Sequence, residues 1–174
     1  MRLRFVLPVV VLGALVLLFL FGLQHDPRTI PSPLIGKPAP DFALRAVGSD
    51  VPYRRDDLLG RPLLVNFWAS WCAGCRIEHP FLMELSRRGV EIVGMDYKDS
   101  DADGLAWLQQ HGNPYRSLVA DNQGTAGLDW GVYGVPETYL LDAQGNIVYK
   151  HIGPLDPKTW EAKMAPLMQA RAAP

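Results

Sequence analysis

The stretch Pro62 to Pro80, PLLVNFWASWCAGCRIEHP, constrains the fold of this chain more than any other. Its opening, PLLVNFW, is a continuous apolar run of strand-forming residues, which suits a central strand buried on both faces. From Ala73 the pattern changes. Ile77, Phe81 and Leu85 recur every four residues, as on the buried face of a helix that closes near Gly89, and Pro80 should kink it. Cys72 and Cys75, the only cysteines in the chain, therefore fall between the carboxyl end of a buried strand and the first turn of a helix. Free amides at a helix start carry partial positive charge and stabilise a thiolate, pulling a cysteine below its usual pKa of about 8.5. Cys72 benefits most and can face solvent, with Cys75 one turn in and close enough to bond to it. In that geometry Cys72 attacks and Cys75 resolves.

The remaining pattern fills in an α/β domain. Val90 to Tyr97 reads as a second buried strand and Asp101 to His111 as an amphipathic helix stopped by Gly112-Asn113-Pro114, so a parallel pair with helical crossovers is implied. ETYLLD and NIVYKHIG flank Ala143-Gln144-Gly145 as a hairpin, which makes the sheet mixed, and Asp156 to Ala170 forms a closing helix. Asp41 to Asp57 suggests a short hairpin around Gly48-Ser49-Asp50. Trp107, Trp130 and Trp160 read as core, whereas Trp68 and Trp71 flank the cysteines as an apolar docking rim. Asp96, Tyr97, Lys98 and Asp99 follow a strand end and read equally well as groove border or solvated loop.

The amino terminus differs from the rest. Phe5 to Leu23, FVLPVVVLGALVLLFLFGL, runs roughly nineteen residues without a charge, about what a helix needs to span a hydrocarbon core of about 30 Å. Arg2 and Arg4 precede it and favour a cytoplasmic amino terminus, although Arg28 and Lys37 weaken the asymmetry. A cleaved signal peptide is the rival, but no A-x-A-like site follows. The expected organisation is a cytoplasmic start at 1–4, an anchor at 5–23, a proline-rich tether at 24–40 and a folded domain at 41–174. With 17 basic and 18 acidic side chains and a formal charge of −1, no basic field points to nucleic acid.

Several chemistries use a C-x-x-C pair. Covalent haem attachment needs C-x-x-C-H, and Arg76 stands where the histidine belongs. A structural zinc site needs about four ligands, and Cys72, Cys75 and His79 lack a clear fourth among His25, His111 and His151. Copper delivery, with soft thiolates and a distant His151, is the alternative from another class. Peroxide reduction is disfavoured because Ala69 occupies the position of the threonine in a Thr-x-x-Cys.

Residues 62–80 resemble the active-site segment of the thioredoxin superfamily. Together with the apolar amino terminus, GMDYKDS at Gly94 to Ser100, HGNPY at His111 to Tyr115 and GVYGVPETYLLD at Gly131 to Asp142, the whole chain resembles the membrane-anchored CcmG/DsbE family of thiol:disulfide interchange proteins in cytochrome c maturation. The resemblance implies a thioredoxin-like fold, with a mixed central sheet flanked by helices, an amino-terminal hairpin extension and a transmembrane helix. It implies a protein-disulfide reductase of the bacterial inner membrane with its catalytic domain in the periplasm, and no cofactor or metal. Its partners would be apocytochrome c, or maturation proteins that handle it, and an upstream membrane thiol reductant. A general envelope disulfide exchanger is the neighbouring alternative. Carried across, Cys72 matches the nucleophile, Cys75 the resolving thiol, and Val135-Pro136 the cis bond that faces the disulfide, with Trp71 bordering the substrate groove. Glu78 and Glu137 resemble the family's acidic residues near the site; by charge they would raise a thiolate pKa, and plain surface solvation is the competing reading. Asn66 departs from ordinary thioredoxins, which carry an aspartate there. An amide cannot titrate, so proton transfer must use water or another carboxylate.

Overall fold

The computed structural model describes residues 3–23, 32–49 and 51–172. Two units are distinguished, Met1–Ile30 and Pro31–Pro174. In the first, α1 (Leu3–Leu23) is a 21-residue helix, and its large apolar side chains from Val6 to Phe21 are exposed where described. Among the described residues no helix is long and apolar enough to cross a membrane; in α1 the described side chains are those of 6–8 and 10–22, broken at position 9. Residues 24–31 of the expected tether and Asp50 of the hairpin turn lie outside the described residues.

The second unit is built on β3. Its hairpin pairs β1 (Ala43–Arg45) antiparallel with β2 (Pro52–Arg54) and leads through a 3-10 turn at Arg55–Leu58 into β3 (Leu63–Trp68). Then follow α2 (Ala73–Arg87), β4 (Ile92–Tyr97), α3 (Asp101–His111), β5 (Ser117–Asp121), α4 (Thr125–Asp129), β6 (Glu137–Leu141) and β7 (Ile147–Ile152). The chain closes with α5 (Pro157–Thr159), a π-helical turn at Trp160–Met164 and α6 (Ala165–Ala172). The sheet order is β5-β4-β3-β6-β7, with β4 parallel to both β3 and β5, and β6 antiparallel to both β3 and β7. This is the thioredoxin-like mixed sheet that the resemblance implied.

All six residues of β3 are buried, because the strand's alternating faces feed two cores. Leu64 and Trp68 pack with Phe81, Leu82, Leu85, Trp107 and Trp160 on one side. Leu63, Val65 and Phe67 pack with Val93, Met95, Trp130 and Tyr139 on the other. Burying each large apolar side chain contributes about 1.5–3 kcal/mol, so a doubly covered strand is a rigid base for whatever follows its carboxyl end.

Several expectations are corrected. Ile77 is 72% exposed; the buried face of α2 is Cys75, Glu78, His79, Phe81, Leu82 and Leu85, and the helix continues through Pro80. The period-four set Ile77, Phe81, Leu85 shared two members with that face and missed its polar part. Trp68 belongs to the core and not to a rim. The later half of the expected tether is docked: Gly36 N donates to Ile147 O at 2.8 Å, Ile147 N to Lys37 O and Ala39 N to Gly145 O, both at 2.9 Å. Two elements, β5 and α4, were not foreseen, since SLVAD and TAGLD are too short to establish a period.

Candidate active site

Cys72 and Cys75 form a disulfide, with Cα atoms 5.3 Å apart. Cys72 is the N-cap of α2, extended at φ −83° and ψ 114°, and its Sγ accepts from Cys75 N at 3.0 Å. The orphan amide of the first helical turn is thus aimed at the sulfur that would carry charge on reduction. Cys72 is only 5% exposed, less open than the sequence suggested. The Val135–Pro136 peptide is cis, and Pro136 O accepts from Gly153 N at 2.9 Å. A Cβ on Gly74 would lie 2.8 Å from Pro136 Cδ and 3.4 Å from Pro154 Cγ. Glycine at this position is what lets the proline loops rest directly on the C-x-x-C turn.

The open edge of the site is Trp71, 60% exposed, its Nε1 donating to Lys98 O at 3.2 Å. Val135 is half-buried and Tyr133 exposed in the loop before the cis bond.

Where β3, α2 and β6 meet lies a closed polar network. Asn66 Nδ2 donates to Glu78 Oε1 at 2.8 Å and to Thr138 Oγ1 at 3.0 Å, while its Oδ1 accepts from Tyr115 OH at 2.9 Å. Tyr115 reaches this position because its ring lies over Gly94 of β4, where a Cβ would come within 2.7 Å. Glu78 Oε2 accepts from Leu155 N at 2.8 Å. Burial pushes the Glu78 carboxyl up to about 7, against the opposing pull of its bonds to Leu155 and Asn66. Surface solvation is therefore excluded for Glu78. The titratable group that the Asn66 strand lacks is supplied by the facing helix.

Glu137 is also fully buried, but its charge is committed elsewhere. Its Oε2 meets Lys150 Nζ at 2.9 Å, and its Oε1 accepts from Tyr133 N at 2.9 Å. Lys150 Nζ donates in turn to Gly131 O at 2.7 Å and lies 4.6 Å from the Tyr133 ring centre. The pair locks both ends of the loop that leads to Pro136, a positioning role that charge counting from the sequence missed. Lys150 itself gave no signal beyond a lysine in a strand.

Asp96 and Asp99 separate likewise: Asp96 is buried, and Asp99 binds backbone beside the cysteines. His79 Nε2 faces His111 O at 3.2 Å, and His151 Nε2 faces Pro154 O at 3.2 Å. Burial lowers the His79 pKa. Among the described residues no group of three or more histidine, cysteine or acidic side chains is placed to hold a metal ion.

A sequence profile of the Redoxin family matches residues 34–165. A thiol:disulfide interchange protein DsbE from Allochromatium vinosum is 45% identical over 167 residues, covering 95% of this chain and 92% of that one. The DsbE of Pseudomonas aeruginosa is 50% identical over 159 residues, covering 89% and 87%. Among solved structures, a DsbE candidate from Chlorobium tepidum superposes with a TM-score of 0.65 at 26% identity, covering 80% of this chain and 98% of that one. A secreted thiol-disulfide isomerase from Corynebacterium glutamicum shares the fold, with a TM-score of 0.69 at 19% identity over 83% and 96% of the two chains.

Proposed function

Because the chain belongs to the redoxin family and, within it, to the thiol:disulfide interchange proteins named DsbE, we propose that its Cys72–Cys75 pair is a dithiol reductant for the haem-attachment cysteines of apocytochrome c or for the maturation proteins that handle them. The coarser activity, thiol:disulfide oxidoreduction, follows from that membership and from the C-x-x-C disulfide. The observation that carries the finer assignment of roles is Cys72 at the N-cap of α2, with the Cys75 amide 3.0 Å from its Sγ.

In the reduced protein the Cys72 thiolate attacks one sulfur of a substrate disulfide. The substrate S–S bond breaks, a Cys72–substrate disulfide forms, and one substrate thiolate leaves. Cys75 then gives up its proton, attacks Cys72 Sγ and expels the second substrate thiolate, so two electrons pass to the substrate and the pair ends oxidised. Glu78 is the acceptor of the Cys75 proton in this reading, being the buried carboxyl one helical turn away whose pKa is tuned close to neutrality. Trp71, Val135 and Pro136 border the groove in which the substrate lies. An upstream membrane thiol reductant restores the dithiol.

The same proposal puts α1 in the bacterial inner membrane as a single-pass anchor, with the catalytic unit in the periplasm. The exposed apolar side chains of α1 and the flanking Arg2 and Arg4 support it. Retention of the full chain in membranes washed with alkaline carbonate is expected; its release would remove the anchor from the proposal.

The functional test is Cys75→Ser. Without the resolving thiol the mixed disulfide accumulates, and the trapped species in the bacterial envelope are expected to be few: apocytochromes bearing C-x-x-C-H or maturation proteins with reactive cysteines. A broad mixture of secreted proteins would point to a general exchanger, and Cys72→Ser trapping the same partners would invert the roles.

A further inference from the structure

The Ser70–Trp71 dipeptide leads from β3 into Cys72, and the loop after β4 holds it in place. Ser70 N donates to Asp99 Oδ2 at 2.6 Å, Ser100 N to Asp99 Oδ1 at 2.8 Å, and Trp71 Nε1 to Lys98 O at 3.2 Å. Lys98 sits in the left-handed region at φ 49°, a conformation a non-glycine residue holds only under local constraint. Its own amide is fastened to Asp121 O at 3.0 Å. One half-buried carboxylate therefore fixes the backbone that precedes the cysteines, and its neighbour fixes the exposed indole.

Behind Asp99 lies Asp96, 2% exposed and paired in register with Trp68 of β3 and Ala120 of β5. Its Oδ1 has no hydrogen-bond partner among the described residues. The charges that face it are all acidic: Asp99 in its own loop, and Asp101 and Asp103 on α3; the Tyr115 phenol also lies within electrostatic reach. Its strand neighbours Trp68 and Ala120 bring no charge. Arg45 is committed to Asp101, whose carboxylate also accepts from Asn122 at 3.1 Å. Asp103 accepts from Ser100 Oγ at 2.6 Å. Burial foremost, and then the charge of Asp99, push the Asp96 carboxyl up to about 8.

We propose that Asp99 is a positioning residue for disulfide exchange, fixing the Ser70–Trp71 edge so that the indole meets an incoming protein disulfide at Cys72. This rests on the reading of Trp71 as part of the substrate groove. Ionisation of Asp96 sets a second anion next to Asp99, pushes Asp99 off the Ser70 amide and frees the edge. The effect falls on docking of large substrates and spares the sulfur chemistry.

The test uses the detergent-solubilised full chain in its dithiol form, with single-turnover oxidation followed by acid quench and alkylation. The probes are a synthetic peptide containing a Cys-x-x-Cys-His disulfide, and oxidised glutathione. Asp99→Ala is expected to raise the half-saturating peptide concentration at least fivefold while changing the glutathione rate less than twofold, with Asp99→Asn intermediate. The double variant Trp71→Ala/Asp99→Ala should match Trp71→Ala alone, as two members of one device do. In the wild type the half-saturating peptide concentration should climb between pH 7 and 9, and in Asp96→Asn, whose amide cannot ionise, it should stay level. Additive losses in the double variant, an unchanged value in both Asp99 variants, or a pH climb that survives Asp96→Asn would each overturn the proposal. A Trp71→Ala variant that binds peptide normally overturns the groove reading along with it, so the two failures are told apart.

Discussion

Asn66 donates its side-chain N–H to Glu78 Oε1 at 2.8 Å, so this buried polar position is held by an amide and a carboxyl from two different elements, β3 and α2. The amide anchors and the carboxyl titrates. This division leaves the strand side neutral and puts the titratable carboxyl on α2, whose N-cap is Cys72 and whose first turn holds Cys75.

Glu78→Gln should slow resolution of the mixed disulfide about 100-fold, the lower end for loss of a general base. The wild-type resolution rate should rise with pH through about 7, where Glu78 ionises, and the variant should lose that limb. Rapid-quench measurement of the Cys72–peptide species from pH 5.5 to 8.5 decides this; an unchanged limb assigns the proton to another group.

Asp96→Asn should flatten the pH dependence of stability. Burial raises the Asp96 pKa from an ordinary 3.8 to about 8, so between these values the unfolded chain releases a proton that the folded one keeps. Stability therefore falls as pH rises through this window and levels off above it. At pH 8 the asparagine variant should be more stable than wild type by up to about 5 kcal/mol, and at pH 4 the gap should close, as read from urea unfolding at the two pH values.

Lys150→Met leaves the Glu137 carboxylate buried without its cation. Breaking such a pair from one side costs about 3–5 kcal/mol. Adding Glu137→Gln should recover part of that loss, because no unpaired charge remains. Chemical denaturation of the two variants checks this, and a double variant as unstable as the single would refute the charge argument.

Gly74→Ala places a methyl where Pro136 Cδ would be 2.8 Å away. The proline loop must move, at about 1–3 kcal/mol for an overpacked contact. Peptide-disulfide reduction is expected to fall at least tenfold while far-ultraviolet circular dichroism stays native; wild-type turnover would mean that the loop's seat on α2 is dispensable.

Much of this protein was legible in its residues one after another. The apolar run to Trp68, the change of period at Ala73 and the cysteines between them are local properties, and they place the redox pair at a strand-to-helix junction without any tertiary information. Family resemblance is equally a property of the linear string, and it carried the thioredoxin-like architecture and the identity of the catalytic class.

What the string could not decide was which groups meet. Ile77 fits the apolar period yet faces solvent, because the buried face of α2 is set by what lies across from it: Asn66 and Leu155 receive Glu78, and the site needs a carboxyl there more than a methyl. Glu78 and Glu137 look alike as letters. Folding gives one an amide, a backbone N–H and no cation, so burial raises its pKa; it gives the other Lys150, and the charge is locked into a loop clamp. Asp99 and Ser70 are 29 residues apart in the chain and become neighbours only because β3 and β4 lie side by side. Burial and partnership are properties of contacts between distant segments, and a residue's chemistry in this site follows from those contacts.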